Sequence, residues 1–310
     1  MKVETIGKVL VKIANSIINN ALLITIVVLI AFAGYALWDS RQLHQAAESS
    51  VYAIYKPTVE DEGQSFKELQ AINDEVFAWL TVYGTSIDYP VTQGEDNMKY
   101  VNMNAEGEYS LSGAIFLDYA NSRDFSDFNS IVYGHHMAKR TMFGELSEFS
   151  DRAKFDAHRY GNLYFNEKDH GIEFFAYLHA DAYDNSVFAA NVTDEYRQTY
   201  LDGLLSRAIH TRDIGVTIED RIILLSTCSS SSTNGRDILV GRIIDRTYDG
   251  NETIDEVEEY ISNGVHCSVI RIPPWVIMLV LVALPLPIVR AVEIYRKKKE
   301  GRKHDEYIQD

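Results

Sequence analysis

The chain is expected to adopt a mainly β fold: a closed or nearly closed barrel of about eight strands carrying helical insertions, flanked by two membrane-spanning helices. Three observations predict this. Between residues 74 and 248, apolar and β-branched residues recur in short runs separated by Gly, Asn, Asp and Ser. Few stretches of that region keep a helical period. An uncharged apolar stretch lies on either side of it, from Ala21 to Trp38 and from Ile272 to Val289.

Residues 1–20 form a tail with three Lys and one Glu, and residues 21–38 are the first span. A cleaved signal peptide is the alternative for that segment, but the apolar run is long and Trp38-Asp39-Ser40 offers no small-residue cleavage site. Residues 39–73 read as a helical linker with apolar residues at spacings of three and four, broken by Pro57 and Gly63. The period then shifts to two. Val76 to Tyr83, Ile87 to Val91, Gly113 to Leu117 and Ser130 to Tyr133 read as strands. A hairpin follows from Tyr160 to Phe165 and Ile172 to Tyr177, turning over Asn166-Glu167-Lys168-Asp169. Asp194 to Ile209 carries Tyr196, Tyr200, Leu201, Leu204, Leu205 and Ala208 at helical spacing, with Thr193 as its cap. The last strands are Arg221 to Ser226 and Asp237 to Asp245. Residues 249–271 are a second linker, 272–289 a second span containing Pro273, Pro274, Pro285 and Pro287, and 290–310 a basic tail.

Charge sets the orientation. Lys2, Lys8 and Lys12 precede the first span, and seven Lys and Arg residues lie in the tail after the second, so both termini are expected in the cytoplasm. The domain between them is then outside the cell. It also holds the acidity: the chain carries a net −16, each tail contributes +2, and the remainder is therefore about −20. Such a surface disfavours nucleic acid as a partner. Two cysteines, Cys228 and Cys267, provide no disulfide framework. Neither a Cys-x-x-Cys nor a His-x-x-x-His pair marks a zinc site.

Cys228 closes the run Arg221-Ile222-Ile223-Leu224-Leu225-Ser226-Thr227. A cysteine there serves either as a small buried hydrophobe or as a nucleophile exposed on a rigid strand end, where a nearby cation favours the thiolate. Histidine is the usual acid and base partner. His135 and His136 follow the strand-like Ile131-Val132-Tyr133 and then Gly134, which reads as a residue that lets the backbone turn. Arg236 is either a solvated charge at the start of a strand or a cation able to hold an oxyanion.

Together these residues resemble a family. Tyr133-Gly134-His135, Leu225-Ser226-Thr227-Cys228 and Arg236 are similar to the sortases, membrane-anchored cysteine transpeptidases of Gram-positive cell surfaces. Phe77-Ala78-Trp79-Leu80, Ile87 to Val91, Asp96-Asn97 with Tyr100, Gly113 to Asp118, and Thr141-Met142-Phe143-Gly144 resemble class B members in order and spacing, over roughly residues 65 to 247. The resemblance implies a sortase-type eight-stranded barrel with N-terminal helices and an inserted helix before the cysteine strand.

It also implies a reaction. Cys228 would form a thioester with the threonine of a sorting motif on a secreted surface protein or pilin. His135 would move the protons, and Arg236 would hold the substrate and the oxyanion. Asn97 and Ser226 fall where the family contacts substrate, and His136 is the adjacent competitor of His135. No metal or organic cofactor is expected, and the acceptor is an amine of a peptidoglycan precursor or a pilin lysine. The second span departs from class B and is more familiar in pilus-building class C, yet the Asp-Pro-aromatic lid of that class is missing from residues 39–73. A cysteine peptidase that hydrolyses the acyl-enzyme and an idle surface scaffold are the competing readings.

Overall fold

The structure, a computed structural model, describes residues 2–58, 63–229 and 234–248. The second span at 272–289, its flanking segments and Cys267 lie outside the described residues. Helix α1 (Lys2–Ala46) is longer than the predicted span and runs through the first residues assigned to the linker. From Ile13 it is long and apolar enough to cross a membrane, and its large apolar side chains are exposed. An aqueous surface does not tolerate such a continuous apolar face, whereas a hydrocarbon core matches it. The rest of the linker is two 3₁₀ turns, Ser49–Val51 and Ala53–Tyr55, then α2 (Gln64–Ile72), whose Phe66 and Leu69 are buried.

Among the described residues nine strands form one sheet: β1 (Val76–Val82), β2 (Asp88–Thr92), β3 (Ile115–Leu117), β4 (Asn129–Tyr133), β5 (Tyr160–Phe165), β6 (Lys168–Asp181), β7 (His210–Thr211), β8 (Arg221–Cys228) and β9 (Gly235–Ile244). Eight of them close a barrel in the order β5-β1-β2-β3-β4-β8-β9-β6, with β6 returning to β5. The two-residue β7 is an addition on β6 that the pattern of the sequence did not reveal. Closure leaves the eight strands without a long free edge. The β5–β6 hairpin turns over two residues, Asn166 and Glu167, both at positive φ, rather than over four. β6 therefore begins at Lys168 and extends to Asp181, well past the predicted Tyr177.

Alternate residues of β8 face opposite sides. Ile223 and Leu225 pack with Phe143, Phe174 and Leu239, whereas Ile222 and Leu224 pack with Tyr200, Leu201 and Leu204 of α4 (Arg197–Arg207). Burial on both faces explains why this strand reads as a continuous apolar run. The residue before the helical segment, Thr193, makes no side-chain capping bond; a 3₁₀ turn at Asp194–Tyr196 precedes α4 instead. A short helix, α3 (Arg152–Ala157), sits on the β4–β5 connection, with Asp151 capping it through Ala153 N–H.

One charged cluster ties the closure. Glu173 of β6, 8% exposed, receives Arg242 of β9 at 2.8 Å and Arg159, just before β5, at 2.8 Å. Burial raises the carboxyl's pKa, but hydrogen bonds from Arg159 and Arg242 outweigh burial and leave it below the ordinary value. Glu173→Gln is expected to cost roughly 1–3 kcal/mol at neutral pH, less than for a fully buried pair because Arg159 is half-exposed. A group with a depressed folded pKa stabilises fully above its unfolded value, and that contribution is lost as pH falls through the folded value. Urea unfolding at pH 7 and below about pH 4 therefore shows the gap between variant and wild type narrowing in acid; an equal gap at both would refute the assignment.

Candidate active site

β4 and β8 are parallel neighbours, so their C-terminal ends leave the barrel at the same end. Tyr133 pairs with Ser226, and Gly134 N–H continues the ladder to Ser226 O at 3.1 Å. His135 follows two residues past the end of β4, and Cys228 is the last residue of β8. The antiparallel β9 pairs Arg236 directly with Cys228. Three chain segments thus converge on one place because two ladders, one parallel and one antiparallel, share β8.

His135, Cys228 and Arg236 line one cavity of about 480 Å³, together with Asn97, Ser226, Tyr133 and Phe188. All five site residues expected from the sequence are in it. His136 is not among its lining residues; it bridges to Met142, and its Nδ1 is buried without a hydrogen-bond partner among the described residues. Cys228 is a free, exposed thiol. The buried-hydrophobe reading is thereby removed: both faces of β8 are covered up to Thr227, and Cys228, the last residue of the strand, lies beyond that cover.

His135 is held from both sides. Its Nε2 lies 2.8 Å from Val101 O, and a carbonyl only accepts, so Nε2 carries the proton. Its own carbonyl accepts from Phe143 N–H at 3.0 Å. Gly134 is needed here for space rather than for a turn: its φ is not positive, and a Cβ would lie 2.5 Å from Ile115 Cδ1 and 2.8 Å from the Phe143 ring. Gly113, at φ +61°, is the conformational glycine, with a would-be Cβ 2.5 Å from Tyr100 O and 2.7 Å from Val101 O. Those carbonyls belong to the segment that grips His135.

Arg236 donates from Nη1 to Gly235 O at 3.0 Å, leaving most of its five donors uncommitted to that bond. Ser226 is 1% exposed and its Oγ has no hydrogen-bond partner among the described residues. Tyr133 stacks on Phe188 at 6.3 Å and tilts against Phe116 at 5.4 Å, giving the cavity an aromatic wall. Burial first, and then the Asp118 carboxylate, push the Tyr133 phenol above its ordinary pKa. Two contributors had no sequence signal. Val101 acts through its backbone, and Phe188 lies in a loop of no regular pattern. Asp118 did leave one, a carboxylate immediately after a wholly buried strand.

No family model matches the chain. Among curated proteins it is similar to sortase B of Listeria monocytogenes, 31% identical over 185 residues, which covers 57% of this chain and 73% of that protein. The chain belongs to the class B sortases. Sortase B of Staphylococcus aureus is 29% identical over 232 residues, covering 71% of this chain and 94% of that protein. The crystal structure of sortase B from the Type II pilus of Streptococcus pneumoniae superposes with a TM-score of 0.52 at 46% identity, covering 58% of this chain and 99% of that one. The protein is accordingly a sortase-type cysteine transpeptidase, and its eight-stranded barrel is the sortase barrel.

Proposed function

We propose that Cys228 is the nucleophile of this sortase, His135 its proton carrier and Arg236 its oxyanion ligand. The observation that carries this reading is the pairing of Cys228 with Arg236 across β8 and β9, with His135, just past the end of the parallel β4, lining the same cavity. The Cys228 thiol gives its proton to His135 Nδ1 as its sulfur attacks the carbonyl of the threonine in a sorting motif, and the tetrahedral oxyanion forms against the Arg236 guanidinium. The C–N bond then breaks as His135 protonates the departing amine, leaving a thioester. With Nε2 engaged by Val101, Nδ1 is the ring nitrogen left to move that proton. An incoming amine next attacks the thioester, His135 takes its proton, and the C–S bond breaks as that proton returns to the sulfur, which frees the enzyme. Asn97 and Ser226 line the route of the substrate backbone.

The acceptor in this reading is a pilin lysine, supported by the likeness to a sortase from a pilus. α1 anchors the enzyme, and the catalytic domain works outside the cell on secreted proteins. The test incubates the full-length protein in detergent with a sorting-motif peptide and equal amounts of a lysine-bearing pilin peptide and a peptidoglycan stem peptide. Mass spectrometry is expected to show a thioester on Cys228 and ligation to the lysine. Ligation only to the stem peptide refutes the pilin acceptor, and hydrolysis alone refutes the transpeptidase assignment in favour of a peptidase.

A further inference from the structure

We propose that Asp118 is a positioning residue that locks the Asn97 side chain so that it offers the substrate a hydrogen-bond donor, selecting a backbone carbonyl at that point of the cavity. The proposal rests on reading the cavity at Cys228 as the active site. Asn97 Oδ1 accepts from Tyr119 N–H at 2.9 Å, and its Nδ2 donates to Asp118 Oδ2 at 2.8 Å. Rotating the amide by half a turn would set its NH₂ against the Tyr119 N–H and its oxygen against the carboxylate, two repulsive contacts in place of two bonds. The orientation is therefore fixed, and one N–H of Nδ2 is left over on a residue that lines the cavity.

A carboxylate is required at 118 because both of its oxygens accept. Oδ1 takes Ala120 N–H at 3.0 Å, while Oδ2 takes Asn97 and also the Tyr133 hydroxyl at 3.0 Å. An amide of the same shape has an acceptor on one side only, so it must either oppose Ala120 N–H or oppose Asn97. Asp118 is itself immobilised: it is 7% exposed, its N–H donates to Ile131 O at 2.8 Å, and its carbonyl accepts from Gln93 Nε2 at 2.8 Å. On the other side, Asp96 Oδ1 accepts Met98 N–H and Lys99 N–H at 2.8 and 2.9 Å, which fixes the turn bearing Asn97. The raised pKa of Tyr133 keeps its hydroxyl a donor to Asp118 over the working pH range.

Steady-state kinetics on the full-length protein in detergent test this, using whichever fluorogenic peptide of Leu-Pro-x-Thr-Gly and Asn-Pro-type sets the wild type cleaves fastest. Asp118→Asn and Asn97→Ala are each expected to raise KM about tenfold with kcat held within about threefold, the loss of one well-placed hydrogen bond. The double variant is expected to be no worse than the worse single one, because both changes remove the same donor. Asn97→Asp, which puts an acceptor where the donor stood, raises KM further than Asn97→Ala. The proposal is overturned if Asp118→Asn leaves KM within twofold of wild type, or if the losses multiply in the double variant. An unchanged KM in Asn97→Ala also overturns it, while the thioester on Cys228, measured separately, still decides the nucleophile.

Discussion

Replacing Cys228 with alanine abolishes thioester formation and transpeptidation together, a loss of at least about 10⁴-fold in kcat. The size follows from covalent catalysis: without the sulfur there is no acyl-enzyme, and the two preceding hydroxyls of β8 are buried. Thr227, the next hydroxyl along the strand, is buried on the opposite face, and Ser226 is 1% exposed. Stability should hardly change. Cys228 is exposed at the last position of its strand, and its ladder bonds to β9 belong to the backbone, so the unfolding free energy should stay within about 0.5 kcal/mol of wild type. The check is intact-mass detection of the acyl adduct alongside product analysis. Residual turnover in a folded Cys228→Ala protein would remove the nucleophile assignment, whatever the family.

Much of this was legible before any coordinates because the strands announce themselves through burial. β8 reads apolar throughout because both of its faces are covered, and β1, β2 and β4 fall within a residue or two of their predicted limits. Where prediction departed from structure, the missing information was tertiary. The extension of β6 beyond Tyr177 carries Leu178, His179 and Ala180, whose mixed polarity is tolerated because β9 pairs with them to Asp181. Thr193 has the chemistry of a cap, yet a 3₁₀ turn intervenes. Gly134 was expected to serve a turn and instead makes room for Ile115 and Phe143, a contact across strands that no local pattern encodes. The site separated in the same way. Cys228, His135 and Arg236 stand at or just beyond strand ends and have reactive side chains, which made them candidates, and the resemblance to the sortases selected them from among the ordinary structural roles. The grip on His135 by the Val101 carbonyl and the lock on Asn97 by Asp118 join a loop after β2 to strand ends 34 and 21 residues away in the chain.

Arg236→Ala is expected to lower kcat about 10²- to 10³-fold, the loss seen when an oxyanion donor is removed from a prearranged site. The register pair with Cys228 makes this a transition-state effect rather than one of binding alone. Arg236 pairs with Cys228 and its Nη1 is bonded to Gly235 O, so in the proposed mechanism its remaining donors would meet charge that exists only after attack. An interaction confined to the transition state lowers kcat and kcat/KM together, whereas simple capture of the peptide would raise KM and spare kcat. Arg236→Lys separates charge from geometry. An ammonium retains the positive charge but lacks the planar fork, and on a flexible stem it cannot both bond Gly235 O and face the oxyanion in the same way. Lysine should therefore recover less than about tenfold of the alanine loss. Equal kcat in Arg236→Ala and wild type, measured under saturating peptide with acyl-enzyme formation followed in a single turnover, would move Arg236 from the chemistry to substrate binding. A full rescue by lysine would instead keep it in the chemistry as a point charge, with the fork irrelevant.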